Sequence, residues 1–581
     1  MLESLCHEPF YVSGTWIDSE QGVYVGWVTR KGSFADCMPL HNEQGDVTLV
    51  FSGEEFSETS IITSLRKRGH AVDPNRSSSY LVHRYEEEAD FPKGLNGRFH
   101  GLAIDRARGR AMLFNDRFGL QRIYYHEAKD AFYFAAEAKA ILKVRPELRS
   151  TDPRGLGEFL VCGCVLENRT LFNGIHVLPP GAAWVFRRGV LERRSTYFEP
   201  AEWEQQEQFD PEAYYAELRD AFVRCLPRYF NGQERVAVSL TGGLDTRIIM
   251  AWCKARPGSL PCYTFGSMYR TNEDVRLARK VARLCGQSHQ VITTGLEFLS
   301  RFAHYAERSV YLTDACIDLG RSPDLYVNEK VREIAPVRIV GTFGSEMLLH
   351  AVMFKATDPA NGLVCQELLP QIHTAKKTYA SILQGHPVTF VAFRQSPWHN
   401  YGVIGLEQTQ VAIRSPYLDN EVVKTVYKAP GSVAANEQGR LRLIRQGNPA
   451  LAKLRTDRGI GHLNSAFTHW ILEFLFKAEY AYDYGMPQSI AQIDHLFRAF
   501  HLERLWLGRH KVFHFRVWYR DQLANYVREM LLDQRSLARP YIVPEMVRTI
   551  VHGHLKGNRN YTTEIHRLIT LELTHRLFLD S

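Results

Sequence analysis

The segment Val236–Arg247, VAVSLTGGLDTR, constrains the fold most. A short apolar, β-branched run passes directly into Thr-Gly-Gly-Leu-Asp-Thr and then into a helical pattern. Such a strand–loop–helix unit, flanked by further alternating strands and helices, belongs to a parallel sheet with right-handed crossovers. The flanking pattern is present. LPCYTFG (260–266), SHQVIT (288–293) and VRIVGTFG (337–344) read as strands. PEAYYAELRDAFVRCLPRYF (211–230), RIIMAWCKAR (247–256) and DVRLARKVARLCG (274–286) read as helices. From about residue 465 the pattern is mostly helical.

The first 200 residues are built differently. QGVYVGWVT (21–29), DVTLVFSG (46–53), GRFHGLAID (97–105), RAMLFND (110–116), IYYHE (123–127) and DAFYFAAE (130–137) alternate aromatic and β-branched residues near period two. AAWVFRRGVLERR (182–194) reads as a hairpin turning at Arg-Gly. Helices are expected at 57–69 and 79–88. This is a layered antiparallel α+β pattern. The expected division is a domain over 1–200, a polar, acidic linker over 201–213, and a second domain over 214–581.

Composition excludes several classes. A chain that is 45% apolar and 23% charged is globular rather than disordered. A net charge of +7 on 581 residues is too weak for a duplex-binding stripe, so no nucleic-acid partner is expected. No window is long and apolar enough to span a membrane, and the first residues lack a signal-peptide pattern. Ten scattered cysteines without C-x-x-C spacing read as free thiols of a cytoplasmic protein. His7, His83, His350, His462, His510, His514 and His575 show no i,i+4 ligand spacing and read as core or surface histidines.

In the loop itself, Gly242 and Gly243 allow a tight turn that brings backbone N–H groups to an anion, with the helix dipole behind them. Ser239, Leu240, Thr241, Gly242, Gly243, Leu244, Asp245 and Thr246 are therefore the candidate phosphate cradle. Asp245 would repel bare phosphate, which points to a bridging Mg²⁺. The segment is neither a Walker loop nor GxGxxG. The alternative is a strand–helix turn that merely uses glycines.

VAVSLTGGLDTR resembles the SGGLDS pyrophosphatase loop of the asparagine synthetase family, with threonines at both serine positions. The resemblance continues in order along the chain, through LNGRFHGLAIDRARGRAMLFNDRFGLQRIYY (95–125), FYFAAEAKAIL (132–142), TLFNGIHVLPPGAAW (170–184) and RSPYLDNEVVKTVYKAP (414–430). It implies an N-terminal Ntn-hydrolase-like glutaminase domain followed by a PP-loop synthetase domain of the adenine nucleotide α-hydrolase type. It further implies ATP and Mg²⁺, and activation of a carboxylate as an acyl-adenylate for attack by an amine. GTFGSEML (341–348) is similar to the family's SGEGADEL and sets Glu346 on its metal-binding Asp, with Gly341 and Thr342 at the nucleotide. Tyr263 and Thr264 lead to Phe265 and Gly266, which fall on the strand end that reads adenine. Lys453, Arg455 and Arg458 are the candidates for the family's pyrophosphate-neutralising lysine, with the register left open.

Several departures from the family stand out. Position 2 is Leu where the family has its nucleophilic Cys, and the first strand of that domain is expected to be missing. The glutamine-holding motifs read Glu8-Pro9-Phe10-Tyr11, Ser52-Gly53-Glu54-Glu55-Phe56-Ser57 and Ser77. Phe343 replaces the family's loop Glu. Together these predict an amide-forming ligase without glutamine hydrolysis, similar in that respect to β-lactam synthetases and lasso-peptide cyclases. Its substrates would be small-molecule or peptide carboxylates and amines, and a homodimer is compatible with the family. An asparagine synthetase with an atypical N-terminus, fed by glutamine or ammonia, is one alternative reading; a nucleotide-binding pseudoenzyme is another.

Overall fold

A computed structural model of the chain describes residues 1–74, 76–459 and 466–580. The N-terminal half holds eleven strands among the described residues. They are β1 (Tyr11–Asp18), β2 (Val23–Arg30), β3 (Leu40–His41), β4 (Val47–Glu55), β5 (Gly97–Asp105), β6 (Arg110–Asn115), β7 (Tyr124–Glu127), β8 (Phe132–Ala135), β9 (His176–Val177), β10 (Ala183–Arg187) and β11 (Val190–Arg193). An antiparallel sheet runs β11-β10-β6-β5-β4-β3, beside a β1-β2 hairpin and a small β8-β7-β9 sheet. Strand β1 was not foreseen from the sequence. Its only buried residue is Asp18, so it carries no apolar alternation to read.

The period-two patterning explains the layers. Leu49, Phe51, Phe99, Ala103, Met112 and Phe114 point to one face, where Tyr80, Leu81 and Tyr85 of the helix Tyr80–Glu87 pack on them. Val50, Leu102, Ile104, Ala111, Leu113 and Trp184 point to the other, against Val23, Val25, Phe132 and Phe134 of the smaller sheets. The Arg-Gly turn is observed, with Arg188 and Gly189 both in the left-handed region, as a two-residue hairpin between right-twisted strands requires.

The second half carries five parallel strands, β12 (Val236–Ser239), β13 (Cys262–Ser267), β14 (His289–Thr294), β15 (Val337–Ile339) and β16 (Ala412–Arg414), in the order β14-β13-β12-β15-β16. The mixed architecture read from the sequence is therefore observed: antiparallel layers first, a parallel sheet second, and a helical C-terminal part. Two elements are shorter than expected. The helix after the Gly-Gly loop spans Asp245–Trp252 and stops at an extended Cys253. The strand read over 337–344 stops at Ile339, because the chain leaves the sheet to form a second loop and the helix Gly344–Leu349.

The polar 201–213 segment is held in place. It contains the short helix Ala201–Glu204, whose buried Trp203 packs on Phe198, Phe393 and Tyr427. Charged contacts join the halves more deeply. Glu54 on β4 receives Arg414 of β16 at 2.7 and 3.1 Å, both side chains buried. Burial alone would raise the Glu54 carboxyl, but Arg414 overrides it and holds the group below its usual range. Asn96 donates to Asp419 at 2.8 Å and accepts the Asn420 N–H at 3.0 Å. No described helix is long and apolar enough to cross a membrane.

Arg414→Ala leaves Glu54 buried and unpaired, and is expected to cost about 3–5 kcal/mol, read as a lowered denaturation midpoint. Replacing Glu54 and Arg414 together by Leu and Met should cost far less, and an equal loss in both variants would contradict the buried-pair account.

Candidate functional site

All strands of the parallel sheet end on one edge, and the Gly-Gly loop emerges there between β12 and its helix. Ligands in open α/β sheets bind outside these carboxyl ends. Thr241 N–H and Oγ1 both lie 3.4 Å from Thr246 Oγ1, so the two threonines close the loop across its base. Ser239 and Leu240 are buried beneath it, and Leu244 is buried at the helix start. Gly242 N–H donates to Asp274 Oδ1 at 2.7 Å, so a carboxylate already sits where an anion would. A side chain at Gly242 would meet that oxygen at 2.8 Å. Burial, then the nearby Asp457, push the Asp274 carboxyl up to about 7.

The second loop docks onto the first through two glycines. A Cβ on Gly341 would lie 2.8 Å from Thr246 N, and one on Gly344 would lie 2.5 Å from Asp245 Cγ. No other residue type permits this approach. Phe343 sits between them in the left-handed region, φ 73°, buried in the core. That conformation is unusual for an aromatic residue. Thr342 is exposed, and its carbonyl accepts from Ser415 at 2.6 Å.

Asp245 is the centre of the polar contacts. Arg440 donates to Oδ1 at 2.6 Å, Ser345 to Oδ2 at 2.8 Å, and the Tyr417 hydroxyl to its carbonyl at 2.7 Å. Burial still raises its carboxyl above the ordinary range, against Arg440 and Ser345. Glu346, 5% exposed, accepts from Asn400 at 3.2 Å. Burial, with Asp245 adding repulsion, pushes it up to about 7. The pair thus holds more negative charge than Arg440 neutralises. A half-buried and a buried carboxylate, both hard oxygen donors, fit Mg²⁺ in this respect.

The basic segment meets the loop by its backbone. Arg247, buried under the loop, donates to the carbonyls of Gly242 at 3.0 Å, Leu454 at 2.6 Å and Arg455 at 3.0 Å. Burial lowers its guanidinium to about 10. Of the three cations expected at the phosphates, Arg455 pairs with Glu273 and keeps a buried Nη1 with no partner among the described residues. Arg458 packs over the Phe476 ring at 4.4 Å, and Lys453 is exposed. Residues 460–461 of this segment, and His462, lie outside the described residues. Phe265 and Gly266 lie toward the carboxyl end of β13; Phe265 is half-buried with Arg338 over its ring at 5.1 Å, and Gly266 lets Val291 approach.

Arg247, Arg440, Asn400 and Tyr417 escaped the sequence reading as site residues. Arg247 and Ser345 lie within motifs already quoted, and Tyr417 within SPYLD. Arg440 lies almost 200 residues from Asp245 in a helix with no motif, so only folding reveals it.

Glu346 yields a pH prediction. Its folded value of about 7 exceeds the ordinary 4.5, so the fold favours the protonated form. The associated stability is present below pH ~4.5 and is lost as the pH rises through ~7, roughly 3 kcal/mol in all. In metal-free protein, Glu346→Gln should raise the melting temperature at pH ~8 and change it little near pH ~4.5. An equal effect at both pH values would contradict this.

A family model described as glutamine amidotransferase domain matches residues 32–198, and one described as asparagine synthase matches 217–346. The chain is 24% identical over 45% of its length to asparagine synthetase [glutamine-hydrolyzing] 1 of Bacillus subtilis, and 26% identical over 46% to asparagine synthetase [glutamine-hydrolyzing] 2 of the same organism. It is also 22% identical over 52% to amidase chry2 of Gibberella zeae. These matches span 42%, 38% and 47% of the relatives' own lengths. With both family models matched in order along the chain, and with antiparallel layers preceding a parallel sheet that carries the Gly-Gly loop, this chain belongs to the asparagine synthetase family, with an amidotransferase-like N-terminal part and a synthetase part.

Proposed function

We propose that this protein is an ATP-dependent amide-forming ligase that adenylates a carboxylate, releases pyrophosphate and passes the acyl group to an amine, without hydrolysing glutamine. The observation that carries the proposal is the docking of the 341–346 loop on the Gly-Gly loop. It sets two under-neutralised carboxylates, the half-buried Asp245 and the buried Glu346, beside a turn of backbone donors. A scaffold has no need of such a pair.

In this reading Gly242 N–H exchanges Asp274 for a phosphate oxygen, and Asp274, with its raised affinity for a proton, tolerates the exchange. Thr241 and Thr246 offer hydroxyl donors, and Gly243 N–H is available from its 3.3 Å contact with Thr241. Mg²⁺, when bound, would neutralise phosphate charge and favour the leaving group. Asp245 and Glu346 would hold it, with Arg440 and Asn400 keeping them oriented. Arg455 supplies its Nη1, unpartnered among the described residues, to the pyrophosphate, and its pairing with Glu273 positions it. Phe343 can neither donate nor accept a proton, so the attacking amine must lose its proton to another base or to solvent.

Contacts made by N-terminal residues, within their half and to the other half, support the absence of glutaminase activity. Residues at the glutamine-holding positions are engaged within the fold. Glu54 is paired with Arg414, and Glu55 accepts from Tyr80, Arg84, Ser57 and Asn96. Glu8 is paired with Arg308 and Gln410. Cys6 is exposed and does not line the cavity of about 550 Å³ between β2, β4, β5 and residues 401–412.

The test is ATP–pyrophosphate exchange and product analysis with ATP, Mg²⁺ and a panel of carboxylates that includes aspartate, supplied with glutamine, ammonium or amines. Carboxylate-dependent exchange with AMP formation is expected, lost by about 100-fold or more in Asp245→Ala. Arg455→Ala should lower exchange about 10- to 100-fold, and Arg458→Ala little. Asparagine or glutamate formed from glutamine would overturn the claim that glutamine is not hydrolysed. Exchange unaffected by Asp245→Ala would overturn the assignment of the site.

A further inference from the structure

A second cluster lies in the N-terminal half, apart from the parallel sheet. The turn after β3 supplies Glu43, the connection after the helix Thr59–Lys67 supplies His70, and the helix Tyr80–Glu87 supplies His83 and Glu86. One ligand atom from each of the four side chains lies within 4.8 Å of the others. We propose that Glu43, His70, His83 and Glu86 form a binding site for a divalent transition metal of the zinc class, a structural clamp between this turn and this helix.

The geometry favours a metal over a plain charge cluster. A tetrahedral site with bonds of about 2.0–2.1 Å has ligand-to-ligand edges of about 3.3 Å. His83 Nδ1 lies 3.0 Å from Glu86 Oε2 and 3.6 Å from Glu43 Oε2, and His70 Nδ1 lies 3.9 Å from Glu86 Oε2. The remaining edges reach at most 4.8 Å, so the side chains would draw together on metal binding.

The surrounding hydrogen bonds are those a metal site needs. His70 Nε2 lies 3.0 Å from Glu87 Oε1, and donation to this carboxylate leaves Nδ1 unprotonated and facing the cluster. A carboxylate on the far nitrogen is the usual orienting partner of a ligating histidine. Glu43 Oε1 accepts the Ala71 N–H at 2.7 Å, and Glu86 Oε1 accepts Asn42 Nδ2 at 2.7 Å. Each carboxylate is thereby anchored by one oxygen; Glu86 presents its other oxygen to both histidines, and Glu43 presents Oε2 to His83 while His70 Nδ1 lies 3.6 Å from its Oε1. The imidazole rings lie 4.6 Å apart at 32°, and the Nδ1 atoms of both face Glu86 Oε2, at 3.0 and 3.9 Å.

The charges also match. Glu87 has Arg68 as its counter-ion at 2.7 Å. Among the described residues no Lys or Arg pairs with Glu43 or Glu86. Two neutral imidazoles and two carboxylates would be balanced by one divalent cation. Mixed nitrogen and oxygen donors suit zinc better than Mg²⁺ or Ca²⁺, which prefer oxygen alone. His83 and Glu86 are three apart on one helix, whereas His70 and Glu43 come from separate connections, so a search for i,i+4 spacing misses the set.

The test uses the full chain. Metal analysis of protein purified without chelator should find about one zinc per chain, and chelator-stripped protein should bind Zn²⁺ with Kd below ~1 µM and melt at a higher temperature. Glu43→Gln, at an exposed position, and His70→Ala, at a half-buried one, should each weaken Zn²⁺ binding at least ~100-fold, and Glu87→Gln about 10-fold. Co²⁺ substituted for zinc should show no thiolate charge-transfer band. Binding weaker than ~100 µM, or tight binding unaltered by both Glu43→Gln and His70→Ala, would overturn the site. So would a thiolate band, which would place the metal on cysteines.

Discussion

Asp245 is a carboxylate largely withdrawn from water, with 19% of its side chain still exposed, and much of the synthetase half is arranged around that fact. An isolated buried carboxylate costs several kcal/mol unless it is paired and hydrogen-bonded. Here Arg440, Ser345 and Tyr417 converge on the same residue from three separate segments. Their convergence requires the second loop to lie against the first, which Gly341 and Gly344 permit by having no side chain. Glu346 is drawn into the same pocket and repelled by Asp245, so the pair remains short of positive charge. Under-neutralisation of this kind is what the proposed cation site would use, and an ordinary ion pair lacks it.

The same logic governs the contact between the halves. Glu54 and Arg414 are buried opposite one another, and Asn96 meets Asp419 and Asn420 with complementary groups. Arg414 ends β16, one strand from β15, whose following loop carries Gly341 and Glu346. The N-terminal half thus braces the edge of the sheet that presents the site. In this arrangement a half with no glutaminase chemistry would still be kept for mechanical reasons, because removing it would expose unpaired charges on the synthetase half.

Much of the fold was legible because it rests on local patterning. Alternation placed β5 on Gly97–Asp105 and nearly placed β2, β4 and β6, and the Arg-Gly pair announced the hairpin at β10 and β11. The helix Pro211–Phe230 followed from its periodicity, and the structure adds the Asp210 cap. Legibility failed where tertiary contacts override local preference. Strand β1 faces solvent or partly covered surfaces and shows no apolar face. The run 337–344 is apolar enough to continue as a strand, yet it leaves the sheet at Ile339 so that Gly341 can reach Thr246.

The sequence alone determined the order of the two architectures, the position of the Gly-Gly loop and the carboxylates on offer, since hydrophobic period, glycine and charge are properties of neighbouring residues. Only the tertiary structure decided which cation meets Asp245, that Arg247 rather than Lys453 ties the basic segment to the loop, and that Arg455 pairs with Glu273 while Arg458 lies on Phe476. It likewise brought Glu43 and His70 to His83 and Glu86. The physical reason is common to all of these. Electrostatic pairing depends on distance in space, and residues hundreds of positions apart carry no mark of being within 3 Å of one another until the apolar cores have packed.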